Sequence, residues 1–509
     1  MGSNVAPDSS RPMREILFQY ESVNPTTWAY LSSLLVIGLY FKFNRVWSVR
    51  NLDVLLIISL APGLLMVYFG QQSIDRATVV PAVAADVSPL IPKLDGDAEV
   101  ALAPEAAPPV EEDPEKPSRQ ELLQIGRTLE KAGYVWLFCV SGLICIRLFI
   151  DPTMVRRPML EPNLTIGGMV FITCALFIFL MTNIVVGRPS DADLRGVREA
   201  SKSSPKEVEE SLRHYGPGYR MLLMVPRIPT YRMAQPESTD LETRDKITIV
   251  VAKVMAILAN IALLAGMVLV GYRHFDSIRM GVGAAMFYFL LPYAAVNTGR
   301  IDHVLPAAML VWAIYFYRTP LLSGVFMGFA IGTLYYPLFL LPLWFSYYWE
   351  RGRGRFLIGV VSTLVLLALS LVFTSSDFES YMHQFRAMFG LWLPRDEGYT
   401  GFWNYYFNSN AYRIPVLAAF AVMSIAFAIW PAQKNLGTLL SCTAGLMVAA
   451  QFWHANDGTT YIAWYMPLML LTIFRPNLED RVALRVIGEG WFKRTTPGAP
   501  SSDEEKQAA

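Results

Sequence analysis

Charge is what this chain of 509 residues lacks. Asp, Glu, Lys and Arg make up 17% of it, against about 25% in soluble domains, while 53% is apolar. The deficit is concentrated in runs such as Leu164 to Val186, Ile247 to Gly271 and Phe356 to Phe373. Each is long enough to cross a hydrocarbon layer about 30 Å thick. A backbone in lipid must satisfy its own polar groups, so runs of this length read as helices, and Gly and Pro inside them are tolerated. A net charge of +1 gives no electrostatic case for nucleic acid. Cysteine is scarce too: Cys139, Cys145, Cys174 and Cys442 lie inside apolar runs without metal-ligand spacing and read as small packing residues. The first 27 residues contain no apolar core followed by a cleavage site, so no cleavable signal peptide is expected and the first span serves for insertion.

What is present is a series of apolar spans: 28–43, 52–70, 133–150, 166–187, 247–271, 281–296, 303–317, 321–334, 336–349, 356–374, 415–431, 436–453 and 460–475. The predicted fold class is all-α, a polytopic transmembrane helical bundle of about 12–13 spans. The pair 321–334 and 336–349 reads either as one helix kinked at Pro337 or as a hairpin. Lys and Arg decide it. Lys42, Arg45, Arg50, Arg147, Arg156, Arg157, Arg273, Arg279, Arg318, Lys434, Arg481 and Arg485 fall on one side if the pair is a hairpin, together with Arg351, Arg353 and Arg355. The expectation is therefore an integral, multi-pass protein of the cytoplasmic membrane with its C-terminus in the cytoplasm. Its organisation is expected as a two-span unit at 1–76, a disordered acidic Ala/Pro linker at 77–118, a membrane domain at 119–492 and a disordered tail at 493–509.

Ionisable groups inside spans mark function by default. They are nearly missing here, which speaks against an ion-coupled pump. Lys253 is the exception, close enough to a span end to snorkel. The polar residues cluster instead at outer helix ends: Asp191 and Asp193, then Asn297, Arg300, Asp302 and His303, then Trp453, His454, Asn456 and Asp457. A carboxylate there can act as a general base and an arginine can hold a phosphate; the plain alternative is a solvated rim that finishes the helices. Residues 204–214 read as a helix capped by Ser204. The aromatic segment 375–414, with Trp392, Trp403, Tyr405, Asn408 and Asn410, reads as interface anchors or as flat faces for sugars. No residue set assigns a metal, and no cofactor is expected, a divalent ion staying open.

Asn297-Thr298-Gly299-Arg300-Ile301-Asp302-His303, a span, Arg318-Thr319-Pro320, a Gly-rich span and then Tyr336-Pro337 form a pattern. It resembles the GT-C superfamily of membrane glycosyltransferases, and within it the bacterial polyprenol-phosphate-mannose-dependent mannosyltransferases, over about residues 166–475. His214-Tyr215-Gly216-Pro217 resembles their Tyr-Pro-Pro element, and Trp453-His454 before a Pro467 span resembles their C-terminal end. The resemblance implies a polyprenyl-phosphate sugar donor drawn from membrane lipid and a glycan, lipid or protein acceptor outside the cytoplasm. It implies Asp191 or Asp193 as the catalytic acid-base residue, with Asn297, Arg300, Asp302, His303, His454 and Asp457 binding substrate. The family's Lys before the Pro is absent, Leu334, Tyr335 and Tyr336 standing there, so Arg300 would meet the donor phosphate. Two other classes stay open: a non-catalytic, degenerate GT-C protein and a lipid or solute transporter. A shared cavity for a carboxylate, Arg300 and the His454 loop discriminates among them.

Overall fold

Short polar side chains open many of the helices. Asn24 accepts from the Thr26 amide to start α1 (Pro25–Tyr40), and Ser48 caps α2 (Val49–Ile58). After a break at Ser59 the chain continues as α3 (Leu60–Ala85). Ser118 and Glu121 form a reciprocal capping box at the start of α4 (Arg119–Ile150), and Thr165 caps α5 (Ile166–Val186). Then follow α6 (Asp191–Ser201), α7 (Leu241–His274) and α8 (Ile278–Leu290). Leu291 precedes a proline, which forces it out of the helical region at ψ 140°, so α8 ends there and Pro292 begins α9 (Pro292–Asn297). The remaining helices are α10 (Ile301–Tyr315), α11 (Pro320–Thr333), α12 (Leu341–Tyr347), α13 (Arg353–Ser370), α14 (Phe378–Met388), α15 (Phe402–Tyr406), α16 (Asn410–Ile429), α17 (Leu436–Gln451) and α18 (Met466–Phe474).

This computed structural model describes residues 24–85, 118–154, 160–187, 189–201, 215–223, 241–375, 377–388, 399–406, 409–431 and 434–476. Among them there is no β-strand, and six helices are long and apolar enough to cross a membrane. The all-α polytopic bundle read from the apolar runs is the observed fold class. Of the linker expected at 77–118, residues 77–85 prolong α3 and Ser118 caps α4, while 86–117 lie outside the described residues, as do the tail 493–509 and the helix expected at 204–214.

The bundle has an inner and an outer layer. Residues Met280–Leu290 of α8, all of α17 and all of α18 are buried. The outer helices expose apolar side chains, Phe171 and Ile178 on α5, Ile358 on α13 and Val422 on α16, as lipid-facing surfaces do. The unit expected at 1–76 packs into this bundle: Tyr40 donates to the Gly283 carbonyl at 2.9 Å, and Trp28 donates to Leu291 at 3.4 Å.

Glycines set the helix spacing. A Cβ at Gly324 would lie 2.2 Å from the Phe356 carbonyl, one at Gly328 would meet Thr363, and one at Gly332 would meet Leu367. The contacts advance in the same direction along both helices, so α11 and α13 run parallel, and 334–352 must return between them. Tyr348 confirms the return by donating to the Tyr317 carbonyl at 2.7 Å. The segment 321–349 is thus a hairpin, not one kinked helix. Gly324→Leu is expected to force these backbones apart, costing at least the ~1–3 kcal/mol of an overpacked core, with a lower melting temperature in detergent as the readout.

Helix ends then sort to two ends of the bundle. At one, Lys42 meets Asn163 at 2.6 Å, Arg50 the Glu161 carbonyl at 2.7 Å and Arg279 the Pro162 carbonyl at 3.0 Å. There too, Arg147 forks onto Asp53 at 2.7 and 2.9 Å and reaches Asp151 at 3.0 Å, and Arg475 holds Asp151 at 3.0 Å. This is the basic end. The acids and imidazoles singled out in the sequence sit at the other.

Candidate functional site

At that other end a cleft of about 1380 Å³ opens between α3, the last turn of α5, α6, α7 and α9. Asp191, Asp193, Asn297 and Arg300 line it, and so does Lys253. The two acids differ in setting. Asp191 is 91% exposed and pairs with Arg198 at 2.9 Å, away from the other candidates. Asp193 accepts from the Ser190 amide at 2.9 Å and from its hydroxyl at 2.8 Å, while Ser190 accepts from the Asp193 amide at 3.2 Å. That reciprocal cap fixes the carboxylate on the first turn of α6. A Cβ at Gly299 would lie 3.1 Å from the Asp193 carboxyl carbon, so the bare backbone there lets the acid lie against the Arg300 loop without shifting by a few tenths of an ångström. Gly299→Ala is expected to push the carboxylate off this loop and lower activity about tenfold while the melting temperature moves little, in keeping with the cost of misplacing a reacting group by a few tenths of an ångström to an ångström.

The loop itself is held from below. Asn260, buried in mid-α7, donates to the Thr298 carbonyl at 3.1 Å, and the Thr298 hydroxyl donates to Ala294 at 2.8 Å. Asn297 donates to the Tyr293 carbonyl at 3.4 Å. Arg300 forks onto Asp302 at 3.0 and 2.9 Å. Burial works against the Arg300 charge, and the Asp302 carboxylate more than offsets it, so the guanidinium is held above its ordinary value. Arg300 is therefore more than a rim residue. Arg300→Ala takes the fork from a buried carboxylate, and a loss of about 1–3 kcal/mol of stability is expected beside the loss of activity, with Arg300→Lys recovering only part of it because an ammonium does not replace the fork.

His303 and His454 lie behind the cleft rather than in it. Tyr461 sits between them, its ring centroid 4.5 Å from His303 and 4.8 Å from His454. His303 Nδ1 is hydrogen-bonded to the Tyr293 hydroxyl, and its buried Nε2, without a hydrogen-bond partner among the described residues, lies 3.9 Å from the Asp302 carboxylate. Trp464 donates to the Asp302 carbonyl at 3.0 Å and joins the two groups. Asp457 faces another way, accepting from the Tyr134 hydroxyl at 2.8 Å, while its amide donates to Thr400 Oγ1 at 3.1 Å. Both Asp457 and Thr459 carry a left-handed backbone, φ 47° and 80°, which is strained for a β-branched residue such as Thr459.

So the structure brings Asp193, Asn297 and Arg300 together, with Asp191 on the outer rim, and sets Asp302, His303 and His454 in a supporting layer. Asp457 belongs to a separate network with Tyr134, near Glu130, whose carboxyl is bonded by Tyr405. Glu130 gave no signal in the sequence because it lies in the polar first half of a long helix, and its partner Tyr405 lies far away in the chain. The 399–406 segment packs against α4 instead of lining the cleft: Trp403 donates to Phe452 at 3.1 Å and Phe402 stacks on Phe138 at 4.2 Å. Trp392 and Asn408 lie outside the described residues. Among the described residues no group of three His, Cys, Asp or Glu could hold a metal ion.

Residues 244–473 match the model of Glycosyltransferase family 87. The match takes in Asn297, Arg300, Asp302, His303, His454 and Asp457, and leaves Asp191, Asp193 and everything ahead of residue 244 outside. No curated protein and no solved structure matches the chain. On an all-α bundle with membrane-length helices, the family match supports a membrane glycosyltransferase of the GT-C type.

Proposed function

We propose that this glycosyltransferase-like membrane protein moves a sugar from a polyprenyl-phosphate donor to an acceptor outside the cytoplasm, with Asp193 as the base. The observation that carries the reading is the single cleft in which a capped carboxylate, Asn297, Arg300 and Lys253 meet. In the reaction the acceptor hydroxyl oxygen bonds to the anomeric carbon. The bond from that carbon to the phosphate oxygen breaks, its electron pair leaves with the polyprenyl phosphate, and the hydroxyl proton passes to Asp193. Arg300 steadies the charge on the leaving phosphate, and Lys253 adds a second cation, its Nζ now donating to the Val185 carbonyl at 2.7 Å. A donor of this kind accounts for a site at the end of a membrane bundle.

The direct test is transfer by the purified full-length protein from polyprenyl-phosphate mannose and polyprenyl-phosphate glucose to a panel of acceptors. Product from either donor is expected; none from any combination overturns the reading. One observation favours a second, non-catalytic reading: Asp193 already serves a cap and Arg300 already holds Asp302. The same assay separates the two. The one-sided Lys and Arg distribution supports a further part of the reading, that the basic end and the C-terminus lie in the cytoplasm. A reporter fused at Ala509 should be active only on the cytoplasmic side, and a fusion within 86–117 only on the other.

A further inference from the structure

We propose that α3, which lies ahead of the family-matched segment, forms the acceptor subsite of the cleft and that the acceptor is a neutral saccharide. This rests on the glycosyltransferase reading of the same cleft. The wall opposite Asp193 and Arg300 is built from Tyr68, Gln71, Gln72, Asp75 and Arg76 of α3. Its chemistry differs from that of the α7 and α9 side, where Lys253 and Arg300 suit a phosphate. On α3 one acid and one arginine balance, and the rest is carboxamide, tyrosine, Phe69 and Ser73. A carboxamide both donates and accepts, which is what a row of hydroxyls requires, and a balanced wall offers no surplus cation to an anionic acceptor.

Size agrees. A pocket that buries a drug-sized ligand occupies roughly 300–1,000 Å³, and this cleft of about 1380 Å³ has room for a donor head group and a second sugar. The wall is also prebuilt. Gly63 and Gly70 of α3 face Gly133 and Gly126 of α4 so closely that a Cβ at Gly70 would lie 2.8 Å from the Glu130 amide nitrogen. Trp136 donates to the Ser59 carbonyl at 2.6 Å, Arg119 to Ala77 at 3.1 Å and Gln71 to Glu130 at 3.4 Å. A wall held at both ends and in the middle can position hydroxyls without reordering on binding.

The test uses the full chain in nanodiscs and the variants Gln72→Leu and Arg76→Met, both on a helix face that the glycine contacts do not use. Calorimetric titration with maltose, cellobiose and mannobiose should show saturable binding of at least one disaccharide by the wild type. Each variant should weaken it at least tenfold, and in the transfer assay acceptor KM should rise at least fivefold more than donor KM. A wild type that binds none of the three, or variants with unchanged affinity and unchanged acceptor KM, overturns the proposal. Disaccharide binding that the variants lose, in a protein that transfers no sugar, removes the glycosyltransferase reading and leaves the saccharide wall standing. Transfer that proceeds with the acceptor KM unmoved in both variants does the reverse.

Discussion

Asp193→Asn is expected to lower transfer by roughly 10²–10⁴-fold, the range a general base contributes, with the melting temperature nearly unchanged. The carboxamide oxygen can still accept from Ser190, so the cap on α6 survives and the loss is chemical. Asp191→Asn, made separately, should cost less than about threefold, because that carboxylate is 91% exposed and engaged with Arg198 on the outer rim. The sequence left the two acids as alternatives; their neighbours separate them. Initial rates with one polyprenyl-phosphate donor, measured for both variants, decide the assignment. Equal losses, or a larger loss at Asp191, would remove Asp193 from the base role.

Arg147→Ala should destabilise the whole protein by about 3–5 kcal/mol, the cost of breaking a buried ion pair by removing one of its members. Arg147 reaches both Asp53 of α2 and Asp151 at the end of α4; their side chains are 3% and 0% exposed. Asp151 keeps Arg475, but Asp53 loses its fork. The double variant Asp53→Leu with Arg147→Met should recover much of the loss, since an apolar pair of similar volume avoids the desolvation that the ions suffer. Thermal unfolding in one detergent compares all three proteins. A single variant as stable as the wild type would mean that the N-terminal helices dock without help from this ion pair.

Much of the fold was legible because lipid leaves few choices: a long uncharged run must be a helix, and the distribution of Lys and Arg fixed the hairpin at 321–349 that Tyr348 and the glycines of α11 then display. Breaks within runs followed from local chemistry, as at Leu291 before Pro292. The site was legible in part. Asp193, Asn297 and Arg300 were found as polar residues at helix ends, yet nothing in the sequence shows that His303 and His454 turn inward onto Tyr461, or that Asp457 turns to Tyr134. Those directions depend on how distant helices pack. Nor could the wall on α3 be anticipated, because Gln71 to Arg76 follow the apolar run 52–70 within the two-span unit and carry no signal of their own.

The inner helices are short. Those of α8, α10 and α17 have 13, 15 and 16 residues. At 1.5 Å per residue they span roughly 20–24 Å, against about 30 Å for the hydrocarbon layer. Their neighbours α4 and α7 have 32 and 34 residues and reach well beyond it. Short inner helices flanked by such long neighbours leave at least one end of the inner layer recessed below them. For the lipid-borne donor proposed above, such a recess lets the sugar head tip sideways over the rim while the tail stays in the bilayer.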